Sequence, residues 1–399
     1  MKITDTIHWV GSVNPDLRVF DIIMETEWGT SYNAYLVRGE QKTALIETVK
    51  SRFADDCLQK IRAVMDPADI DYIIADHTEP DHSGAVKALL AHMPKATVVA
   101  SRAGIDFLKE IVNEPFASMT VKTGDSLDLG GRTLEFISAP FLHWPDSMFT
   151  WVPEEKALFS GDVFGCHYAM PNQKLFDDES DRDLAKAQKY YYDVIMSPFA
   201  SYMRAALDRI EDLDIDLICP SHGPVLRFTI QEIIQKYQHW SQEAPKNDPP
   251  KVFIGYVSAY GNTRALAECI EAGLKKSGTF DITVQDVSEV EVGETLSEIE
   301  RADAIAIGSP TFNRDALLPV WHVLSGIGFY QNKGKPAAAF GSYGWSGEAA
   351  GLMAERLRSL QMKVMEDTLR VRLIPSEEQK QQAVDYGKAF GTFIKETLA

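Results

Sequence analysis

The stretch His77-Thr78-Glu79-Pro80-Asp81-His82-Ser83-Gly84 narrows what this chain can fold into more than any other. It follows the apolar run Tyr72-Ile73-Ile74-Ala75, so it caps the end of a β-strand. A surface turn has no reason to gather two imidazoles and two carboxylates in so few residues. Along an extended loop alternate side chains share a side, which lets His77, Glu79 and Asp81 converge. Pro80 stiffens the loop and Gly84 eases the turn into a following helix. This is the pattern of a metal site, and the fold must be one that brings strand ends together.

Further ligand types recur at similar boundaries. His143 lies in Leu142-His143-Trp144-Pro145-Asp146-Ser147, after the strand Leu134 to Ile137. Asp162 closes Leu158-Phe159-Ser160-Gly161-Asp162, and His222 closes Leu217-Ile218-Cys219-Pro220-Ser221-His222-Gly223. Singly, each reads as a turn or capping residue. Beside the cluster at 77–82 they read as distant contributions to one site, since sites are assembled from loops at strand ends.

With 399 residues the chain is too long for one core. The polar, proline-rich Gln242-Glu243-Ala244-Pro245-Lys246-Asn247-Asp248-Pro249-Pro250 reads as a linker and divides it into residues 1–249 and 250–399. In the first part, strands are predicted at Tyr35–Val37, Thr43–Ile46, Tyr72–Ile74, Thr97–Val99 and Leu134–Ile137, with helices at Val86–His92 and Ile105–Val112. Many strands and fewer helices imply two stacked sheets covered by helices. In the second part, strands at Val252–Val257, Ile282–Val287, Ala304–Ile307, Ala337–Phe340 and around Val364–Leu373 alternate with helices. The last helix starts at Ser376 with Gln379 three residues on, a capping box. That alternation predicts a parallel, doubly wound sheet of flavodoxin-like order.

Three loops at strand ends of the second part suit a flat, phosphorylated ligand. Ser258-Ala259-Tyr260-Gly261-Asn262-Thr263 offers backbone N–H groups and hydroxyls to a phosphate. It has no Gly-Lys-[Ser/Thr] ending and no Gly-x-Gly-x-x-Gly fingerprint, which argues against a nucleotide-hydrolysing loop and a dinucleotide site. Pro310-Thr311-Phe312-Asn313 and Ser342-Tyr343-Gly344-Trp345 bring aromatics for a planar ring, although exposed turns or subunit contacts would also use them.

The net charge of −18 argues against nucleic acid as a partner. No apolar run is long enough for a membrane span, and Met1-Lys2-Ile3-Thr4-Asp5 lacks a signal core, so a cytoplasmic location is expected. Four cysteines without a Cys-x-x-Cys pair imply neither a disulfide framework nor a rubredoxin-type iron site, and fit a reducing compartment.

The order His-x-Glu-x-Asp-His, His, Ser-Gly-Asp, Ser-His-Gly resembles the metal framework of the metallo-β-lactamase fold, with Glu79 where its hydrolases usually carry His. That variant, with His143-Trp144-Pro145-Asp146-Ser147-Met148, resembles the flavodiiron proteins over essentially the whole chain. The resemblance implies an N-terminal metallo-β-lactamase-like αββα sandwich followed by a flavodoxin-like domain. It implies one iron on His77, Glu79 and His143, a second on Asp81 and His222, Asp162 and an oxo or hydroxo group bridging them, and His82 behind the ligands. It implies FMN on Ser258, Tyr260, Gly261, Asn262, Thr263, Pro310, Thr311, Phe312, Asn313, Ser342, Tyr343, Gly344 and Trp345. One of Tyr191 and Tyr192 is expected near the irons, with Tyr192 the candidate and simple packing the alternative. The implied activity is reduction of O2 to water or of NO to N2O, with rubredoxin or a similar small carrier as donor, a reduced deazaflavin in some relatives, and a head-to-tail homodimer that brings one chain's flavin to the other's iron. Glu47 stands where related sequences often have Asp.

The donor set suits that chemistry. Carboxylates are hard ligands that tolerate ferric iron. Three carboxylates and a bridging hydroxide balance the charge of two ferrous ions, which a buried pocket requires. A di-zinc hydrolase fused to a flavodoxin-like domain is a rival that Glu79 argues against. An electron-transfer flavoprotein with an inert metal domain is another, opposed by the complete ligand set.

Overall fold

The computed structural model describes residues 1–20, 24–171, 174–180, 183–242 and 246–399. Two compact units emerge, Met1–Glu243 and Ala244–Ala399. Of the predicted linker, residues 243–245 lie outside the described residues.

In the first unit a period-two pattern builds two sheets. Leu45, Ile73 and Val98 point to one side of their strands and pack beneath helices, while their neighbours Ile46, Ile74 and Val99 point to the other. The inward set meets Phe136, Met148, Phe159 and Cys219 of the second sheet, so the core between the sheets comes from both. The first sheet orders its strands Ile7–Trp9, Tyr35–Arg38, Thr43–Ile46, Tyr72–Ala75, Thr97–Ala100 and Ser118–Thr120. The second orders Ser126–Asp128, Thr133–Ser138, Met148–Val152, Ala157–Gly161 and Leu217–Pro220. The result is an αββα sandwich.

The helix Arg102–Val112 shows how the outer layers form. The Ser101 side chain accepts from Gly104 N at 3.1 Å as N-cap, and Asn113 ends the helix in a left-handed conformation at φ 53°. Ile105, Leu108 and Val112 form the buried stripe, each contributing about 1.5–3 kcal/mol on burial.

The second unit is a parallel sheet in the order Asp281–Asp286, Lys251–Tyr256, Ala304–Gly308, Pro336–Tyr343. Its central strands are buried on both faces and so read as unbroken apolar runs. The predicted fifth strand is two short ones, Lys363–Val364 and Leu369–Arg372, which pair with the start and end of Pro336–Tyr343. The polar Glu366-Asp367-Thr368 interrupts them. Helices Asn262–Ser277 and Glu377–Leu398 pack through glycine: a Cβ on Gly273 would meet Val384 O at 2.1 Å, and one on Gly387 would meet Ile270 O at 2.2 Å. The capping box on Ser376 and Gln379 forms as predicted. Among the described residues no helix is long and apolar enough to cross a membrane.

Candidate metal centre and flavin pocket

The buried strand Tyr72–Ala75 ends on Asp76, and Glu79 is the N-cap of a short helical turn, Pro80–Ser83, with Pro80 at its first position. This break sends the ligand types two ways. His77 and Glu79 leave from the extended segment; Asp81 and His82 leave from the turn. The structure accordingly forms two donor groups, His77, Glu79, His143, Asp162 and Asp81, His82, His222.

In the first group Glu79 Oε2 lies 3.2 Å from His77 Nε2 and 2.9 Å from His143 Nε2. Asp162 Oδ2 lies 3.6 Å from His77 Nε2 and 3.5 Å from His143 Nε2. In the second group Asp81 Oδ2 lies 3.1 Å from His222 Nε2, and Asp162 Oδ1 lies 3.2 Å from His82 Nε2 and 3.6 Å from His222 Nε2. Asp162 therefore turns one oxygen to each group. These separations are those of atoms about 2.1 Å from a shared cation. Both oxygens of Asp81, Oδ1 of Asp162 and Nε2 of His82 are buried without a hydrogen-bond partner. Orphaned buried acceptors of this kind are costly unless a cation receives them, so the donor set fits a pair of metal ions.

The electrostatics agree. Burial opposes a charged His77, but hydrogen bonds to Asp146 and Glu79 and the charge of Asp162 push it up to about 10. Burial would raise Asp162, yet His82, His77 and His222 hold it well below the usual carboxylate range. Glu79, partly buried, is held far down by His143 and His77. His82 is raised well above its ordinary value, against its burial, by Asp81 and Asp162.

Groups behind the donors fix their orientation. Asp146 Oδ2 accepts from Thr78 N and Thr78 Oγ1, both at 2.8 Å, and faces His77 Nδ1 at 3.4 Å. Glu47 Oε1 accepts from His77 N at 3.0 Å, while its Oε2 lies 3.3 Å from His82 Nδ1. His222 Nδ1 meets the Ser31 carbonyl at 2.6 Å. Each arrangement leaves Nε2 free for a cation.

All six predicted ligands are brought together. His82, expected behind them, stands with its Nε2 among the donor atoms of the second group. Tyr192 is not at the site: its ring packs on Tyr237 and Trp240, each at 5.1 Å. Tyr191 is the one that faces in, 5.1 Å from the His167 ring and 6.3 Å from His222. The helix Leu184–Tyr191 buries Leu184, Ala187, Gln188 and Tyr191 on one face, which turns Tyr191 inward, and then passes into a wide π-helical turn, Tyr192–Met196. Sequence reasoning missed His167, a buried histidine whose ring stands 4.8 Å from that of His222 and whose Nδ1 meets Thr30 Oγ1 at 2.9 Å. Nothing near it in sequence marks it except Asp162, five residues upstream. Asp146 was visible only as part of its motif.

In the second unit Tyr260, Asn262, Pro310, Thr311, Phe312, Asn313, Ser342, Tyr343, Gly344 and Trp345 line one cavity of about 340 Å³. Arg314, Ser346 and Leu373 line it too and were not predicted. Ser258, Gly261 and Thr263 do not line it but shape the helix entry beside it. Gly261 is the N-cap of Asn262–Ser277 at φ 82° and brings no side chain of its own to the first turn. Ser258 Oγ accepts from Arg264 N at 3.2 Å, and Thr263 Oγ1 meets Ser342 Oγ at 2.8 Å. Free N–H groups at a helix start next to an aromatic cleft fit a phosphate and a flat ring.

A family model described as ODP family beta lactamase matches residues 30–223, and one described as flavodoxin matches residues 254–387. Flavo-diiron protein FprA2 of Clostridium acetobutylicum is 44% identical over 403 residues, covering 99% of each chain. A nitric oxide reductase of Moorella thermoacetica is 37% identical over 405 residues, covering 99% of this chain and 98% of its own. Among solved structures, the rubredoxin oxygen:oxidoreductase of Desulfovibrio gigas matches with a TM-score of 0.71 at 32% identity, over 100% of this chain and 99% of the other.

Proposed function

This chain belongs to the flavodiiron protein family, and on that premise we propose that it is an oxidoreductase that reduces O2 to water or NO to N2O with electrons relayed from FMN to two irons. Bound iron would supply the gas chemistry and bound FMN the electrons. The observation that carries the reading is Asp162, a buried carboxylate with one oxygen toward each of two donor groups. Such a bridge needs two cations.

On this reading His77, Glu79 and His143 would hold one iron and Asp81 and His222 the other, with Asp162 turning one oxygen toward each group. His82 is positioned to add a donor to the second iron. Asp146 keeps the proton of His77 on Nδ1, and the Ser31 carbonyl does so for His222. Burial of His77, Asp81, His82, Asp162 and His222 keeps water from these donors, which strengthens the charge interactions among them, while Glu79 and His143 stand at the partly open side. Phe312, Tyr343 and Trp345 would orient a flavin ring, and the start of the helix Asn262–Ser277 would receive its phosphate. Residues 1–249 would be the iron domain and 250–399 the FMN domain. A rubredoxin-type carrier as donor, a head-to-tail homodimer and a cytoplasmic location complete the proposal. Four free thiols suit that compartment.

The test is anaerobic reduction of the purified protein, followed by separate O2 and NO consumption assays with iron and flavin quantified. Two irons and one FMN per chain with turnover of either gas support the proposal. Fewer irons and no gas consumed overturn it, and two zincs with ester hydrolysis favour the hydrolase rival.

A further inference from the structure

The turn that carries His222 is gripped by a segment nearly two hundred residues upstream. Asn33 and Ala34 lie where the chain leaves the small strand Thr30–Tyr32 for the large-sheet strand Tyr35–Arg38. There Asn33 Nδ2 donates to Pro220 O at 2.7 Å and to Gly223 O at 3.0 Å. Asn33 N donates to Ser221 O at 2.8 Å. Tyr35 Oη donates to Pro220 O at 2.7 Å, and Ser31 Oγ accepts from Gly223 N at 2.9 Å and donates to Gly223 O at 3.3 Å. Behind the amide, Trp9 Nε1 donates to Asn33 Oδ1 at 2.9 Å, which fixes the amide with its NH2 toward the turn. Asn33, Tyr35 and Trp9 are all buried.

The carbonyls of Pro220, Ser221 and Gly223 are thus all taken by residues 31–35, leaving only that of His222 to Cys166 N at 3.3 Å. Gly223 sits at φ 80°, and a Cβ there would meet Cys166 O at 2.8 Å, so the turn cannot relax on that side. His222 itself adds its Nδ1 contact to the Ser31 carbonyl. His77 and His82 are held by a different set of residues: Asp146 and Glu47 face their rings, and Glu47 and Thr48 hold their backbone.

We propose that Asn33, aided by Tyr35 and held by Trp9, is a positioning residue that fixes the 220–223 turn and thereby governs retention of one metal ion only, the one on His222. This rests on the reading of His222 as a ligand. Loss of an outer partner that orients a ligand typically weakens metal binding about 10–100-fold.

The test follows iron release from the reduced holoprotein to a chelator, in which two irons give two phases. In Asn33→Ala and in the volume-matched Asn33→Asp, one phase should accelerate about 10–100-fold while the other keeps its wild-type rate, with FMN content unchanged. Tyr35→Phe, which removes one hydrogen bond, should accelerate the same phase about fivefold and serves if the Asn33 variants do not fold. Wild-type release in the variants that fold, or equal acceleration of both phases, overturns the proposal. His222→Ala separates the layers. If it loses one iron while the Asn33 and Tyr35 variants release like wild type, the clamp alone is wrong. If it retains both irons with unaltered release, the ligand assignment beneath fails.

Discussion

The two units hold their functional groups in opposite ways. The metal unit gathers buried, mutually paired charges from four remote segments, and leaves several of their atoms without partners. The flavin unit offers an open cleft in which Trp345 is fully exposed and Tyr260 nearly so. Buried charge without a counterion is expensive, so the first site is incomplete by itself. An aromatic face in water costs little, so the second can stand ready at small expense. The difference teaches that occupancy should matter to stability in one unit and mainly to affinity in the other.

The sharpest way to break the contrast is Asp162→Ala. It removes the oxygens shared by both groups, so both irons should be lost and gas consumption should fall at least about 100-fold, read by metal analysis beside activity. Next, stripping the metal should lower the melting transition of the first unit by about 10 °C and leave that of the second in place, seen by calorimetry. The stripped protein should also carry a pH signature. Folding raises His77 from an ordinary 6.5 to about 10, so its protonated form is favoured in the native state. That stability is complete below pH 6.5 and is lost as the pH rises through about 10; metal replaces the proton and should flatten the window, as urea midpoints with and without iron would reveal. Smaller still, Trp345→Ala should weaken FMN about tenfold with iron content intact, measured by flavin titration. The smallest effect belongs to Tyr192→Phe. Its hydroxyl is buried without a partner, so activity should not change and stability should move by less than about 0.5 kcal/mol in chemical denaturation.

Much of this was legible in the residues. Ligand types at strand ends located the centre because parallel strands in a sandwich deliver their ends to one edge. The cluster at 77–82 declared its chemistry, but not that Pro80 starts a helical turn that splits it between two groups and carries His82 forward. Tyr191 rather than Tyr192 faces inward because it continues the stripe Leu184, Ala187, Gln188 of its helix, a spacing present in the residues but diluted by the polar Gln188. His167, Thr30 and Ser31 were silent because their roles come from packing across more than a hundred residues. In the second unit the loops were legible as loops, whereas Arg314 and Leu373 reach the cleft through left-handed backbone at φ 63° and 56°, which neither residue type announces.

The spacing of the donors along the chain has a consequence for biosynthesis. One group needs Asp162 to join His77, and the other needs His222 to join Asp81. A nascent polypeptide halted before residue 222 can assemble at most half a centre. Completion of the two-metal centre is therefore a late step of maturation, open only after the ribosome has released nearly all of the first unit, and until then the early ligands face whatever cations the cell supplies.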